Sequence, residues 1–285
     1  MKRHEFRLIH RLRVRWAEVD MQKIVFNAHY LMYFDTAISD YWRALALPYE
    51  EAMLQLGGEL YVKKASVEYH GSARFDDQLE VALKCTRIGT SSMIFTGAIF
   101  RADALLVTCE LVYVFADPTS QTSRPVPPAL RDLVDCFEAG ERVLATRVGD
   151  WTVLGPQAVQ IRATVFVQEQ GSSSEHVWDE ADRSALHAVA FNALGQGIAT
   201  GRLVGLDHGV AKIGCLAVHC ALRGAHIGQG VLETLVQEAR GRGYTKAMLH
   251  AQSRALGFCL RLGFTLCGES FDAAGISHIE MAKAL

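Results

Sequence analysis

The sequence predicts a two-domain α+β protein, with an antiparallel sheet around a central helix followed by a mixed α/β domain. A helical stripe that starts near residue 27 is followed by four strand-like runs with short connections. Four of the six prolines then lie between Asp117 and Pro128, and beyond them helical and strand-like runs alternate. We therefore predict domains at 1–139 and 151–285, joined by a linker at 140–150.

Length and composition limit the classes of protein that the chain can belong to. With 285 residues, 50% hydrophobic and 21% charged, each half can bury a core. The formal net charge of −2 gives no electrostatic case for a nucleic-acid partner. No run approaches the roughly 20 apolar residues of a membrane span, and the basic start lacks the apolar core of a secretory signal. We expect a cytoplasmic protein without a membrane partner.

The seven cysteines indicate reduced thiols rather than a disulfide framework. Their number is odd and no CxxC pair is present. Cys215 and Cys220 lie closest together, and no histidine cluster completes a metal pattern around them. We therefore expect no metal site.

Each element of the first half follows from its pattern. Residues 7–16 alternate charged and apolar side chains, which predicts a half-buried strand. From residue 31 to residue 45 apolar side chains recur every three or four positions, which predicts a helix with Asn27 as its N-cap. Four runs rich in β-branched and aromatic residues follow as strands, and "ALRDLVDCFEAGERVL" predicts a closing helix.

The second half has a different order of elements. "PQAVQIRATVFVQEQ" predicts a helix, and "ALHAVAFNALGQGIATGRLV" predicts two strands joined by a glycine-containing turn. "VAKIGCLAVHCALRG" predicts a strand and a loop, "GVLETLVQEARGRG" an amphipathic helix, "KAMLHAQ" a strand and "RALGFCLRLGF" a short helix. No internal repeat relates the two halves.

Two segments of the first half share a resemblance to one family. "DMQKIVFNAHY" (20–30) and "SVEYHGSARFDDQLEV" (66–81) resemble, in order and distance, the motifs of the 4-hydroxybenzoyl-CoA-type hotdog acyl-CoA thioesterases. The resemblance covers about residues 7–137. It implies that Asp20 is the catalytic carboxylate, attacking directly or as a general base, and that the N–H of Asn27 polarises the thioester carbonyl.

Each motif also has a purely structural interpretation. A loop aspartate such as Asp20 often caps a turn. Lys23 stands where the family has glycine, and a lysine there is strained if the position needs a positive φ; its ammonium would otherwise lie near a coenzyme A phosphate or face water. For Arg74, Asp76 and Asp77 we favour turn formation and ion pairing over catalysis.

Three segments of the second half share a resemblance to another family. They are "IRATVFVQEQG" (161–171), "GCLAVHCALRGAHIGQGVLETLVQEARGRG" (214–243) and "AGISHIEMA" (274–282). They resemble one branch of the GNAT acetyltransferases, whose phosphate loop opens a helix, and His226 stands where that loop has its first glycine. Backbone N–H groups at a helix start can cradle a pyrophosphate. The resemblance implies cofactor contacts from Leu216, Val218, Arg223, Gly224, Ala225, His226, Ile227 and Gly228.

Direct acetyl transfer requires a base for the amine and an acid for the coenzyme A thiolate. The usual acid of the family is a tyrosine, and Cys259 occupies its position; Cys259 is either that acid or simply a small helix residue. His278 lines the acceptor site or bonds a neighbouring strand. Four carboxylates are base candidates or solvated acids: Glu169, Asp179, Glu180 and Asp182.

The two resemblances together imply a bifunctional enzyme. The first domain would hydrolyse an acyl-CoA and the second would transfer an acetyl group to an unidentified amine. Coenzyme A, acetyl-CoA and acyl-CoA would be substrates rather than permanently bound cofactors. In one alternative the second domain only binds acyl-CoA or coenzyme A and regulates the thioesterase; in another, Lys23 disables the first domain. Hotdog domains pair across an extended sheet, so we expect a dimer or tetramer.

Overall fold

The computed structural model describes residues 1–273 and 275–285 of the chain. These residues form two compact units, Met1–Val143 and Leu144–Leu285. Among them, no helix is long and apolar enough to cross a membrane.

The first unit is a five-stranded antiparallel sheet in the order β1-β3-β4-β5-β2. Its strands are β1 Leu8–Arg13, β2 Glu59–Tyr69, β3 Gln78–Ile88, β4 Ser92–Arg101 and β5 Ala104–Ala116. Its helices are α1 Asn27–Ala44, α2 Tyr49–Leu56 and α3 Pro128–Glu138. Short connections join β3 to β4 and β4 to β5, and these consecutive strands pair antiparallel at the centre of the sheet.

Helix α1 packs directly on this sheet. Its inward stripe includes Phe34, Ala37 and Tyr41, none of which is exposed to solvent. A Cβ added at Gly97 of β4 would collide with the ring of Phe34, so the glycine lets the helix lie close to the strand. Tyr41 also donates through its hydroxyl to Glu138 Oε1 (2.6 Å), which ties α3 to α1.

The second unit is a seven-stranded sheet in the order β11-β12-β10-β9-β8-β7-β6. Its strands are β6 Leu144–Gly149, β7 Leu186–Asn192, β8 Gly197–Gly205, β9 Val210–Val218, β10 Lys246–Gln252, β11 Thr265–Ala273 and β12 Ile276–Ala284. Its helices are α4 Trp151–Arg162, α5 Ile227–Gly241 and α6 Leu256–Arg261. Strands β9 and β10 pair in parallel, whereas the other pairs are antiparallel.

Three details differ from the sequence predictions. Residues 144–149, predicted as part of a linker, form β6 because they pair with β7. Helix α4 begins at Trp151, where the Asp150 side chain accepts from the N–H of Val153, and it continues into a π-helix, Ala163–Glu169. Asn27 is the first residue of α1 and not its N-cap; that position belongs to Phe26, which has no side chain able to cap.

Candidate active sites

Asp20 lies in a tight loop between a short 3₁₀ helix, Trp16–Glu18, and α1. Its N–H donates to the C=O of Ile24 (2.9 Å) and its C=O accepts from the N–H of Lys23 (2.9 Å). Its carboxylate Oδ1 accepts from the N–H of Gln22 (2.8 Å). The turn-capping role considered for Asp20 is therefore present, and it uses one carboxylate oxygen.

Lys23 adopts the left-handed conformation with φ of 61°. The three-residue loop with a left-handed last position is the hairpin form that favours glycine there. The lysine is therefore strained by the backbone, as expected for a side chain at a glycine position.

The start of α1 lies beside this loop. The N–H of Phe26 donates to the C=O of Glu18 (2.9 Å), and the N–H of His29 donates to the C=O of Phe26 (2.9 Å). Because α1 begins at Asn27, the first N–H groups have no acceptor within the helix and carry the positive end of its dipole. The exposed Asn27 thus presents the kind of donor that a developing oxyanion requires.

The Arg74–Asp77 segment forms a turn, as favoured from the sequence. The Asp77 carboxylate accepts from the N–H of Arg74 (2.8 Å) and pairs with Arg101 (2.8 Å). Asp76, at φ of 70°, pairs with Arg13 (2.8 Å). These carboxylates serve the turn and its ion pairs.

A cavity of about 640 Å³ lies in the second unit at the start of α5. Strands β9 and β10 pair only from Val210 and Lys246 to Ile213 and Leu249, and the cavity lies beyond this pairing. The separation leaves the last residues of β9 facing the cavity. Its lining residues are Val165, Gln170, Leu216, Ala217, Val218, Leu222, Arg223, Gly224, His226, Ile227, Gly228, Gln229, Gln252, Arg254, Ala255, Phe258, Arg261 and Leu262.

Most of the predicted cofactor-binding residues line this cavity, but Ala225 does not. His226 precedes α5 in the left-handed conformation, with φ of 60°, at the position where the family has glycine. Gly228 cannot carry a side chain without crowding, since an added Cβ would lie 3.0 Å from Val218 Cγ2. The loop and the first turn of α5 thus present backbone N–H groups to the cavity.

Cys259, predicted as either the acid for the thiolate or a small helix residue, is not among the lining residues of this cavity. It is 3% exposed, and burial raises the pKa of its thiol to about 11. Its neighbour Phe258 occupies the cavity wall instead, because adjacent residues of a helix point in different directions.

None of the four base candidates lines the cavity, and each has a cationic partner. Glu169 binds Arg223 through both carboxylate oxygens, and hydrogen bonds from Arg223 hold the pKa of Glu169 below its usual value. The pairs of the other three are Asp179 with Arg202, Asp182 with Arg162 and Glu180 with Arg183.

Two glutamines that the sequence analysis did not single out, Gln170 and Gln252, line the cavity. Gln252 donates through Nε2 to Gln170 Oε1 (3.3 Å). His278 lies opposite Gln252 in the β10–β12 pair, and its Nδ1 donates to the C=O of Ile276 (2.8 Å). Gln170 lies within the "IRATVFVQEQG" segment, so the resemblance of that segment could have indicated Gln170 as a site residue. Ala274, the first residue of "AGISHIEMA", lies outside the described residues.

Comparison with known proteins assigns a family to each unit. Residues 14–134 match the thioesterase-like superfamily, and residues 158–285 match the acetyltransferase (GNAT) domain. The chain is 28% identical over 120 residues to the acyl-CoA thioester hydrolase YbgC of Escherichia coli, an alignment covering 42% of this chain and 89% of YbgC. It is 32% identical over 95 residues to an Aquifex aeolicus protein provisionally named an esterase, covering 33% of this chain and 73% of that protein.

The second unit has a similar relative in Bacillus subtilis, provisionally named an acetyltransferase. The two are 30% identical over 130 residues, which cover 44% of this chain and 86% of that protein. The two units therefore define a thioesterase-type domain followed by an acetyltransferase-type domain, and the predicted hotdog and GNAT fold class is confirmed. The chain belongs to the thioesterase-like superfamily through its first domain and to the GNAT acetyltransferases through its second.

Proposed function

We propose that the first domain hydrolyses an acyl-CoA thioester with Asp20 as its carboxylate and the N–H of Asn27 as oxyanion donor. The observation that carries this proposal is the position of the Asp20 loop beside the start of α1, since Glu18, two residues before Asp20, accepts through its C=O from the N–H of Phe26, the residue before α1 (2.9 Å). In the general-base route Asp20 takes a proton from water, the hydroxide attacks the carbonyl carbon, and the C–S bond breaks to release the thiol. In the direct route Asp20 attacks the same carbon, the C–S bond breaks with departure of the coenzyme A thiolate, and water then hydrolyses the resulting anhydride to the free acid and the Asp20 carboxylate.

The test is release of free thiol from short, long and aromatic acyl-CoAs. Asp20→Ala and Asp20→Asn abolish release if Asp20 performs the chemistry. Asp76→Asn is the matched control, because Asp76 is also a turn aspartate of the first domain but belongs to a different turn. An Asp20→Ala protein that keeps most of the wild-type rate would refute the mechanism. An inactive wild type would instead support the alternative in which Lys23 disables this domain.

For the second domain we propose acetyl transfer from acetyl-CoA to an amine. The cavity at the separation of β9 and β10 supports it, because the backbone of Leu216–Val218 and the start of α5 suit a thioester arm and a pyrophosphate. The amine attacks the acetyl carbon, loses a proton, and the coenzyme A thiolate leaves and is protonated.

The burial of Cys259 favours a second candidate, a domain that binds acyl-CoA and regulates hydrolysis without transfer. Thermal-shift titration with acetyl-CoA together with an amine acetylation screen separates the two. Binding without turnover on any amine supports the regulator, whereas turnover on an amine refutes it.

We also propose that the first domain assembles into a dimer or tetramer through β2. Among the described strands β2 pairs only with β5, and its 11 residues include Tyr61 and Val62 at 40% and 55% exposure. A long strand edge of this kind is a pairing surface. Light scattering of wild type and Val62→Lys tests it: a monomeric wild type would contradict the proposal.

A further inference from the structure

Glu18 is a buried carboxylate at the base of the Asp20 loop. Its residue exposure is only 3%, which is rare for a carboxylate without a strong set of partners. The carboxylate accepts from the N–H of Arg15 (2.7 Å), from Nε of Arg15 (2.7 Å) and from the hydroxyl of Tyr33 (2.8 Å). Tyr33 lies on α1 and is itself only 5% exposed.

The backbone of Glu18 holds the opposite side of the loop. Its C=O accepts from the N–H of Phe26 (2.9 Å), and the next residues, Val19 and Val25, form an isolated antiparallel bridge. One residue therefore connects both ends of the loop that carries Asp20, and its side chain attaches that loop to α1.

The charge state of Glu18 keeps this attachment in place. Burial opposes ionisation, but hydrogen bonds from Arg15 and Tyr33 outweigh it and leave the pKa of Glu18 below its ordinary value. The ionised carboxylate is an acceptor only, so the Tyr33 hydroxyl donates to it. Burial, followed by this bond to Glu18, raises the pKa of Tyr33, which therefore remains a donor at neutral pH.

We propose that Glu18 is a positioning residue for thioester hydrolysis, which sets the Asp20 carboxylate relative to the first N–H groups of α1 through its bond to Tyr33. This inference rests on the proposed function of Asp20. A carboxylate that must meet the carbonyl carbon while helix N–H groups meet its oxygen needs a fixed separation, since displacements of about 1 Å can cost roughly 100-fold in rate.

The test compares Glu18→Gln and Tyr33→Phe with the matched control Glu80→Gln. Glu80 is also a partly buried carboxylate with arginine partners, Arg3 and Arg11, but it lies on β3. For the acyl-CoA that wild type cleaves fastest, Glu18→Gln should lower kcat by roughly 10- to 100-fold with KM within about 2-fold of wild type. Tyr33→Phe should also lower kcat, but by a smaller factor, and Glu80→Gln should leave kcat unchanged.

A cycle with Asp20→Asn separates positioning from a general structural role. If Glu18 acts through Asp20, the residual rate of thiol release that Asp20→Asn leaves, measured at high enzyme concentration, falls no further when Glu18→Gln is added. The inference is overturned if Glu18→Gln keeps wild-type kcat, or if its loss matches the fraction of unfolded protein measured by circular dichroism at the assay temperature. An Asp20→Asn protein with normal rate overturns both proposals, whereas an inactive Asp20→Asn beside a fully active Glu18→Gln overturns only this one.

Discussion

The carboxylate of Glu169 accepts two hydrogen bonds from the guanidinium of Arg223, with Oε1–Nη1 and Oε2–Nη2 distances of 2.6 and 2.5 Å. Arg223 also donates to the C=O of Val218 through Nε (3.2 Å). The pair joins the end of the π-helix to the loop before α5. Glu169 is thus unsuited to act as the base, and its negative charge lies beside the proposed site for a diphosphate.

We predict that Glu169→Gln tightens acetyl-CoA binding. Removing the carboxylate removes its repulsion of the phosphates and frees the donors of Arg223. Both side chains are partly exposed, at 42% and 31%, so solvent screening limits the gain to about 2- to 5-fold in Kd. Calorimetric titration of the full chain at low and high salt measures it. Glu238→Gln, which removes the exposed partner of Arg242 on α5, is the control. Weaker binding by Glu169→Gln would contradict the prediction.

We predict that alanine at two glycines of α5 has different effects: it stabilises the fold at Gly230 and weakens acetyl-CoA binding at Gly228. Gly230→Ala meets no atom within 4 Å, so it should raise the free energy of unfolding by about 0.5–1 kcal/mol, the cost of glycine in a helix. Gly228→Ala places a Cβ 3.0 Å from Val218 Cγ2 in the cavity wall. It should weaken acetyl-CoA binding by about 10-fold, because overpacking displaces the first turn of α5. Thermal unfolding and titration of both variants test this pair, and equal affinities would refute it.

The fold was largely predictable because its signals are local. The stripe of α1 and the β-branched runs of β2–β5 depend on spacings within one element. Strand β6 was not predicted, because its six residues become a strand only by pairing with β7 about 40 residues later. The positions of Lys23 and His226 could be marked from the sequence as sites where the backbone favours glycine, and both have positive φ.

The partners within the candidate sites could not be predicted in the same way. Arg15, three residues from Glu18, is a local partner, but the buried carboxylate also needs the hydroxyl of Tyr33, 15 residues away, and no sequence spacing indicates that contact. Arg223 lies 54 residues from Glu169, so its ion pair depends on the assembled sheet. Cys259 matched a motif position, but the motif does not specify which way a helix residue points.

We predict that Lys23→Gly stabilises the first domain and keeps its hydrolysis. A left-handed backbone costs a non-glycine residue about 1–2 kcal/mol, and glycine removes this cost. Glycine also makes the unfolded chain more flexible, which lowers the stability by about 0.4–1 kcal/mol. The free energy of unfolding should therefore rise by roughly 0.5–1 kcal/mol in urea titrations, by the difference of these terms. Gln22→Gly, in the same turn without a positive φ, should instead destabilise. Loss of stability in Lys23→Gly would show that the strain is not relieved by glycine.

We predict that the second domain loses stability as the pH falls below about 6.5, the ordinary pKa of histidine. His187 is fully buried and donates through Nε2 to the C=O of Asp182 (2.9 Å). Burial, then the nearby charge of Arg162, lowers the pKa of His187, so the unfolded chain takes up the proton first. Stability therefore rises with pH across this range, by up to about 1.4 kcal/mol per pH unit from this group.

Unfolding of wild type and His187→Gln between pH 5.5 and 7.5 measures this contribution. The other titratable groups are the same in both proteins. The difference between their plots of unfolding free energy against pH therefore gives the contribution of His187. His250→Gln is the control: burial also lowers the pKa of His250, but its side chain is 31% exposed and its effect should be smaller. His187→Gln should be less stable at pH 7.5, yet lose less stability on acidification. If the free energy of unfolding of His187→Gln changes with pH as steeply as that of wild type, His187 does not take up a proton on unfolding. The acid sensitivity in this range would then arise from other groups.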